Sequence, residues 1–164
     1  MMVFKNILLK TYLPALISVS LIIISCSNQT VYSKYKKIHN YIWNYNNSIE
    51  FEFEIKDTSI NYNVFFNLRN AGVFPYSNIW ILINGYSPEG KEFLAQRYEF
   101  LLADESGKWT GKGLGDIIDN HFLIMENVKF TAKGINKLEI KHDMRIDNLP
   151  GVMDLGISVR KVKK

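Results

Sequence analysis

The chain is poor in the residue types on which much site chemistry depends. Its 164 residues contain one cysteine, Cys26. A lone thiol excludes an intramolecular disulfide and any multi-cysteine metal site. The three histidines, His39, His121 and His142, are scattered, and none has a His or Cys partner at ligand spacing. No serine sits in a G-x-S-x-G turn. No acidic residue follows Cys26 before Glu50. Helical periodicity is missing downstream of Cys26, apart from one turn's worth at 115–120 (GDIIDN). Charge of one sign is also scarce. The formal net charge is +4, but Lys5 and Lys10 lie in the N-terminal segment, and 18 basic against 16 acidic residues remain without them. Near-neutrality offers no electrostatic footprint for nucleic acid. The basic tail RKVKK (160–164) reads as solvated.

What is present begins with an address. Residues 1–25 have a charged start in Lys5 and Lys10, then an apolar stretch from Leu13 to Ile24. That stretch is shorter than the about 20 apolar residues a membrane span needs, and it suits a secretory signal. IISC (23–26) resembles a bacterial lipobox, in which the cysteine is acylated and becomes the first residue of the mature chain. Residues 1–25 are therefore expected to be a lipoprotein signal peptide, with Cys26 the lipid attachment site. Residues 26–48, rich in Asn, Ser, Tyr and Lys, are expected to form a tether, with Ile42 and Trp43 docking on the domain. No membrane contact other than the lipid is implied.

From residue 49 the pattern has period two. IEFEFEI (49–55) alternates Ile and Phe with Glu50, Glu52 and Glu54. YNVFFNL (62–68), NIWILI (78–83), RYEFLL (97–102), FLIMENVKF (122–130), KLEIKHDM (137–144) and MDLGISVR (153–160) complete a set of seven predicted strands. NIWILI is apolar throughout, which suits a central strand. Glu126 is expected to mark a bulge or an edge. SPEGK (87–91) and TAKGI (131–135) carry turn chemistry. Seven short strands with a wet face predict an all-β antiparallel sandwich over 49–164, immunoglobulin-like or jelly-roll-like. A barrel is the other architecture open to such a pattern.

GKWTGKGLGD (107–116) looks like a phosphate loop but fails its spacing. Lys112 is followed by Gly113 rather than by a hydroxyl residue, and no helix follows to cradle an anion. The expectation is a glycine-rich crossing between sheets, pinned by Trp109. No cofactor or metal is expected. ADESGK (103–108) reads as turn residues rather than a calcium loop. Tyr76, Trp109, Gly111, Gly113 and Asp116 are the candidate partner-contact residues. Two other readings stay open. Tyr76, Trp80, Tyr86 and Trp109 would line a carbohydrate or peptide groove if exposed together. Asp116, Asp119 and His121 would suggest a hydrolase if they converged in a cleft.

Four long stretches in order resemble the gliding-motility lipoprotein GldH family of Bacteroidetes. They are FEFEIKDTSINYNVFFNLRN (51–70), FPYSNIWILI (74–83), ADESGKWTGKGLGDIIDN (103–120) and MRIDNLPGVMDLGISVRK (144–161). The resemblance implies an outer-membrane-associated lipoprotein that is not an enzyme. It would serve the gliding machinery and the secretion system linked to it, with other envelope proteins as partners. It brings no catalytic residues, so Cys26 alone carries over as a site. Surface export of lipoproteins in this phylum resembles a rule placing acidic residues just after the cysteine. Their absence here points to the periplasmic face of the outer membrane.

Overall fold

A computed structural model describes residues 29–163. Cys26 and the expected signal peptide lie outside them. The described chain forms eleven strands: β1 (Thr30–Lys37), β2 (Ile42–Asn44), β3 (Ile49–Ile55), β4 (Tyr62–Ala71), β5 (Asn78–Tyr86), β6 (Glu92–Leu101), β7 (Lys112–Leu114), β8 (Ile117–Val128), β9 (Gly134–His142), β10 (Asn148–Pro150) and β11 (Val152–Lys161). A five-stranded sheet runs β1-β11-β4-β8-β7, a four-stranded sheet β3-β9-β5-β6, and a two-stranded sheet β10-β2. All pairings are antiparallel. The all-β sandwich expected from the alternation is what the chain forms. Among the described residues no helix is long and apolar enough to cross a membrane.

The strands form where the sequence lets one face go dry. In β3, Phe51, Phe53 and Ile55 are buried while Glu50, Glu52 and Glu54 stay exposed. In β5, Ile79, Ile81 and Ile83 are fully buried, and the strand is flanked on both sides, by β9 and β6. Aromatic contacts then join the two large sheets. Phe66 on β4 stacks on Phe100 of β6 at 5.6 Å, and Phe100 on Phe122 of β8 at 4.2 Å. Tyr32 on β1 meets Phe53 on β3 at 5.9 Å. Each such side chain contributes about 1.5–3 kcal/mol on full burial. The expected irregularity at Glu126 is a bulge. The β4–β8 register breaks between Tyr62 and Val64, and Asn127 takes a φ of 53°. Its N–H is satisfied by Asn63 Oδ1 at 2.7 Å.

Three expectations need correction. First, residues 30–37 are not tether. Thr30–Lys37 pair with β11 from Arg160 to Asp154 and form one edge of the five-stranded sheet. Second, Trp43 is fully buried as expected, but Ile42 is 48% exposed. They are neighbours on an extended strand and point to opposite sides. Third, GDIIDN is not a helical turn. Ile117 and Ile118 open β8, with Ile118 turned in and Ile117 out.

One end of the sandwich is closed by the β2–β10 ribbon. Its Trp43 donates Nε1–H to the Asn47 carbonyl at 2.8 Å and lies edge-on to His142 at 5.2 Å. His142 is fully buried, and neither ring nitrogen finds a hydrogen bond. Burial pushes its pKa below the ordinary 6.5, although the nearby carbonyls of Trp43 and Asp147 pull the other way. The unfolded chain therefore binds a proton below about pH 6.5 that the folded chain refuses. Stability supplied by neutral His142 is present above that pH and lost below it. We predict that urea unfolding of the wild type weakens between about pH 7.5 and 5.5, by at most about 1.4 kcal/mol per pH unit from this group. His142→Leu should flatten that slope. Equal slopes in the two proteins would contradict the assignment.

Candidate functional site

The outer face of the five-stranded sheet holds a polar cluster that spans three strands. Register creates it. Asp154 on β11 faces Arg69 on β4, and Arg69 faces Asp119 on β8. One step along, Gly156 faces Asn67, and Asn67 faces His121. Two ladders of hydrogen bonds and ion pairs result. In the first, Arg69 bonds Asp119 Oδ2 at 3.3 Å from both Nε and Nη2, and its Nη1 lies 3.9 Å from Asp154. In the second, Asn67 donates to Ser158 Oγ at 2.8 Å, and the two hydroxyls of Ser158 and Ser33 lie 3.2 Å apart. His121 Nδ1 meets Asn67 Oδ1 at 2.7 Å. The amide oxygen only accepts, so the ring donates from Nδ1.

Tyr35 covers this face. It starts on edge strand β1, crosses over Gly156 and lies with its ring 4.3 Å from the Arg69 guanidinium carbon. Its hydroxyl reaches Asp119 Oδ1 at 3.5 Å. Burial under this arrangement, then the Asp119 charge, raises the tyrosine pKa. Gly156 makes room for it: a Cβ there would sit 2.8 Å from the Tyr35 ring and 2.9 Å from the Lys34 carbonyl. The shelter explains why Asn67 is fully buried although it sits on an outward face.

As chemistry, the cluster lacks a nucleophile beside a base. The serine hydroxyls lie beyond Asn67, on the Nδ1 side of His121. The other nitrogen, Nε2, faces Asp119 Oδ1 at 3.9 Å. A nucleophile must meet the base at the nitrogen that accepts its proton. The structure brings Asp119 and His121 together, as neighbours two apart on β8. Asp116 is not part of the group. It sits in the exposed β7–β8 turn, where its carbonyl accepts the Gly72 N–H at 2.8 Å. Among the described residues no three His, Cys, Asp or Glu side chains gather as a metal site.

The glycine-rich stretch crosses from the four-stranded to the five-stranded sheet, between β6 and β7. Trp109 is half-buried, bridges to Ala103 and packs against the core. Gly111 and Gly113 are there for close approach. A Cβ on Gly111 would overlap Asn120 Oδ1 and Ile118 Cγ2 and sit 2.8 Å from the Asp119 carbonyl, and one on Gly113 would overlap the Ile117 carbonyl. Ahead of them, Asp104 Oδ1 accepts from Ser106 N, Ser106 Oγ and Lys108 N at 2.9, 2.6 and 3.0 Å. Those bonds, with that of the Ser106 hydroxyl foremost, hold its carboxyl below the usual range. ADESGK is a turn.

The four aromatics do not make one platform. Tyr76 is half-buried and edge-on to Phe74 at 5.9 Å. It shares a depression with Trp80. The Trp80 ring, however, is covered by Arg97, whose guanidinium carbon lies 3.9 Å from its centroid and which is itself paired with Asp143. Tyr86 is at the far end of β5 beneath Lys137 at 5.3 Å. Sequence reasoning missed Tyr35, Asn67, Arg69, Asp154 and Ser158. Only strand register brings them together, and no local motif encodes it.

Comparison with known proteins gives the following likenesses. A family model described as "GldH lipoprotein" matches residues 30–159. A "Gliding motility lipoprotein GldH homolog" of Christiangramia forsetii is 31% identical over 144 residues, covering 84% of this chain and 87% of the relative. The "Gliding motility lipoprotein GldH" of Flavobacterium johnsoniae is 26% identical over 153 residues, covering 89% and 94%. Among solved structures, a family GH115 4-O-methyl-alpha-glucuronidase aligns with a TM-score of 0.45 and 13% identity, over 79% of this chain and 14% of that one. That likeness is too loose to bear on fold or activity.

The tyrosine cover gives a stability prediction. Gly156→Ala should cost about 1–3 kcal/mol, as over-packed sites do. Adding Tyr35→Ala should recover part of that loss and not all, because the Lys34 carbonyl remains in the way. Strict additivity of the two substitutions in denaturant unfolding would show that Tyr35 does not lie over Gly156.

Proposed function

The chain belongs to the GldH lipoprotein family, and we propose that it is a non-enzymatic, lipid-anchored component of the gliding-motility machinery and its associated secretion system. In this reading it assembles or stabilises envelope proteins at the outer membrane, on the periplasmic face. The observation that carries it is the extent of the family match, residues 30–159, which takes in almost the whole folded domain. The character of the polar cluster supports it. Asn67, Ser158, Arg69 and Asp119 are spent on one another across the sheet, as side chains that specify register are.

Cys26 is the anchor in this reading. Acyl chains contribute about 0.8 kcal/mol per buried CH₂, and one chain alone holds only marginally, so stable anchoring needs several. Partner contact falls to the loops around Tyr76, Trp109, Gly111, Gly113 and Asp116, at the end of the sandwich opposite Thr30. The carbohydrate- or peptide-groove reading is the weaker one, because Arg97 already occupies the face of Trp80.

Cys26→Ala should leave the thermal unfolding of the domain unchanged, remove the protein from outer membranes washed in high salt, and abolish gliding where the host glides. Retention in the outer membrane with normal motility would refute the anchoring role.

A further inference from the structure

The sandwich is electrically polarised along its strands. At the end where β1 begins, the connecting segments are 56–61, 87–91, 129–133 and 162–163. They carry Lys56, Lys91, Lys129, Lys133 and Lys163 against Asp57 and Glu89. At the opposite end the segments are 38–48, 72–77, 102–111, 115–116 and 143–151. They carry Lys108 and Arg145 against Asp104, Glu105, Asp116, Asp143 and Asp147. Counted over these segments alone, one end has an excess of three positive charges and the other an excess of three negative ones.

One of the two acids at the positive end is held by its own turn. Ser59 donates from both its N–H and its hydroxyl to Asp57 Oδ1, at 2.8 and 2.7 Å. These bonds first, and then the nearby Lys133 and Lys161, hold the Asp57 pKa below the ordinary value. Val31 and Ile135 are exposed, and they line one depression whose lysines, Lys34, Lys56 and Lys161, face Glu52, Glu54 and Asp57. The two exposed apolar side chains at this end are what a headgroup layer accommodates.

We propose that this basic end docks on an anionic lipid surface and sets the sandwich upright on the membrane, with its acidic end turned away. The proposal rests on Cys26 being the anchor. Only Ser27, Asn28 and Gln29 separate Cys26 from Thr30, and four residue steps reach at most about 14 Å. The anchor therefore holds the lysine end within reach of the headgroups. The potential of an anionic leaflet acts over about a Debye length, 8–10 Å, so lysines held there feel it and the far end does not.

The test uses the mature chain, residues 26–164, as the unacylated Cys26→Ser protein. Among the described residues, the buried core lies within 38–159 and Tyr32 packs against it, all inside this chain. Co-sedimentation is measured with vesicles of phosphatidylcholine alone and of phosphatidylcholine mixed with phosphatidylglycerol. The protein should bind the anionic vesicles only, and release as salt is raised. Lys129→Glu/Lys133→Glu/Lys163→Glu should weaken binding by about tenfold or more, and Lys108→Glu/Arg145→Glu should not. Absence of binding to anionic vesicles, or equal loss in both variants, would overturn the proposal. The salt dependence of the wild type tests it without any variant. Acylation of Cys26 is read separately, by mass spectrometry of the protein from native membranes, so failure of the anchor and failure of the docking surface are told apart.

Discussion

The pairing of the first described strand with the last is the constraint on which the rest depends. Thr30–Lys37 lie antiparallel to Val152–Lys161. This brings the chain's entry into the domain and its exit to one end of the sandwich. It also places Tyr35 over Gly156 and Ser33 beside Ser158, so the outer face of the large sheet is sheltered. Without β1, Asn67 and Ser158 would stand on an open face, and Tyr32 would not reach Phe53 on the other sheet. One edge strand thus supports the core on one side and the polar ladder on the other.

That ladder looks at first like machinery, with an Asp, a His and serines on one face of the sheet. Its geometry says otherwise. The histidine offers the serines the wrong nitrogen, and the carboxylates are engaged by one arginine. Asn67 and Ser158, buried and bonded to each other, with the half-exposed Arg69–Asp119 pair beside them, specify one register, since a slip of one residue would turn every partner to the other face. For a domain proposed to present a fixed surface to envelope proteins, a rigid sheet is the useful property.

The seven strands read from the sequence were legible because six alternate apolar with wet residues and the seventh, NIWILI, is an unbroken apolar run. β1 was hidden because its core-side positions beyond Tyr32 are Lys34 and Lys36, which lie over the Tyr32 and Phe51 rings with their long stems. A lysine-rich edge strand has the composition of a tether. β2, β7 and β10 have three residues each, too few for any period to show. GDIIDN misled because an Ile pair flanked by Asp reads equally as a turn of helix. Gly111 and Gly113 were legible as glycines allowing positive φ or close backbone approach, but not their partners, Asn120 and the Ile117 carbonyl across a hairpin. The polar cluster was illegible altogether: Asn67 meets Ser158 across 91 residues and His121 across 54.

The central claim is that a short tether joins a lipid on Cys26 directly to the edge of a rigid sandwich. Neutron reflectometry on the acylated protein in a supported bilayer tests it most directly. The account predicts protein density that begins within about 14 Å of the headgroups, the reach of four residues. A water layer about twice as thick between headgroups and protein would contradict it, since β1 would then have to be unpaired from β11 to span the gap.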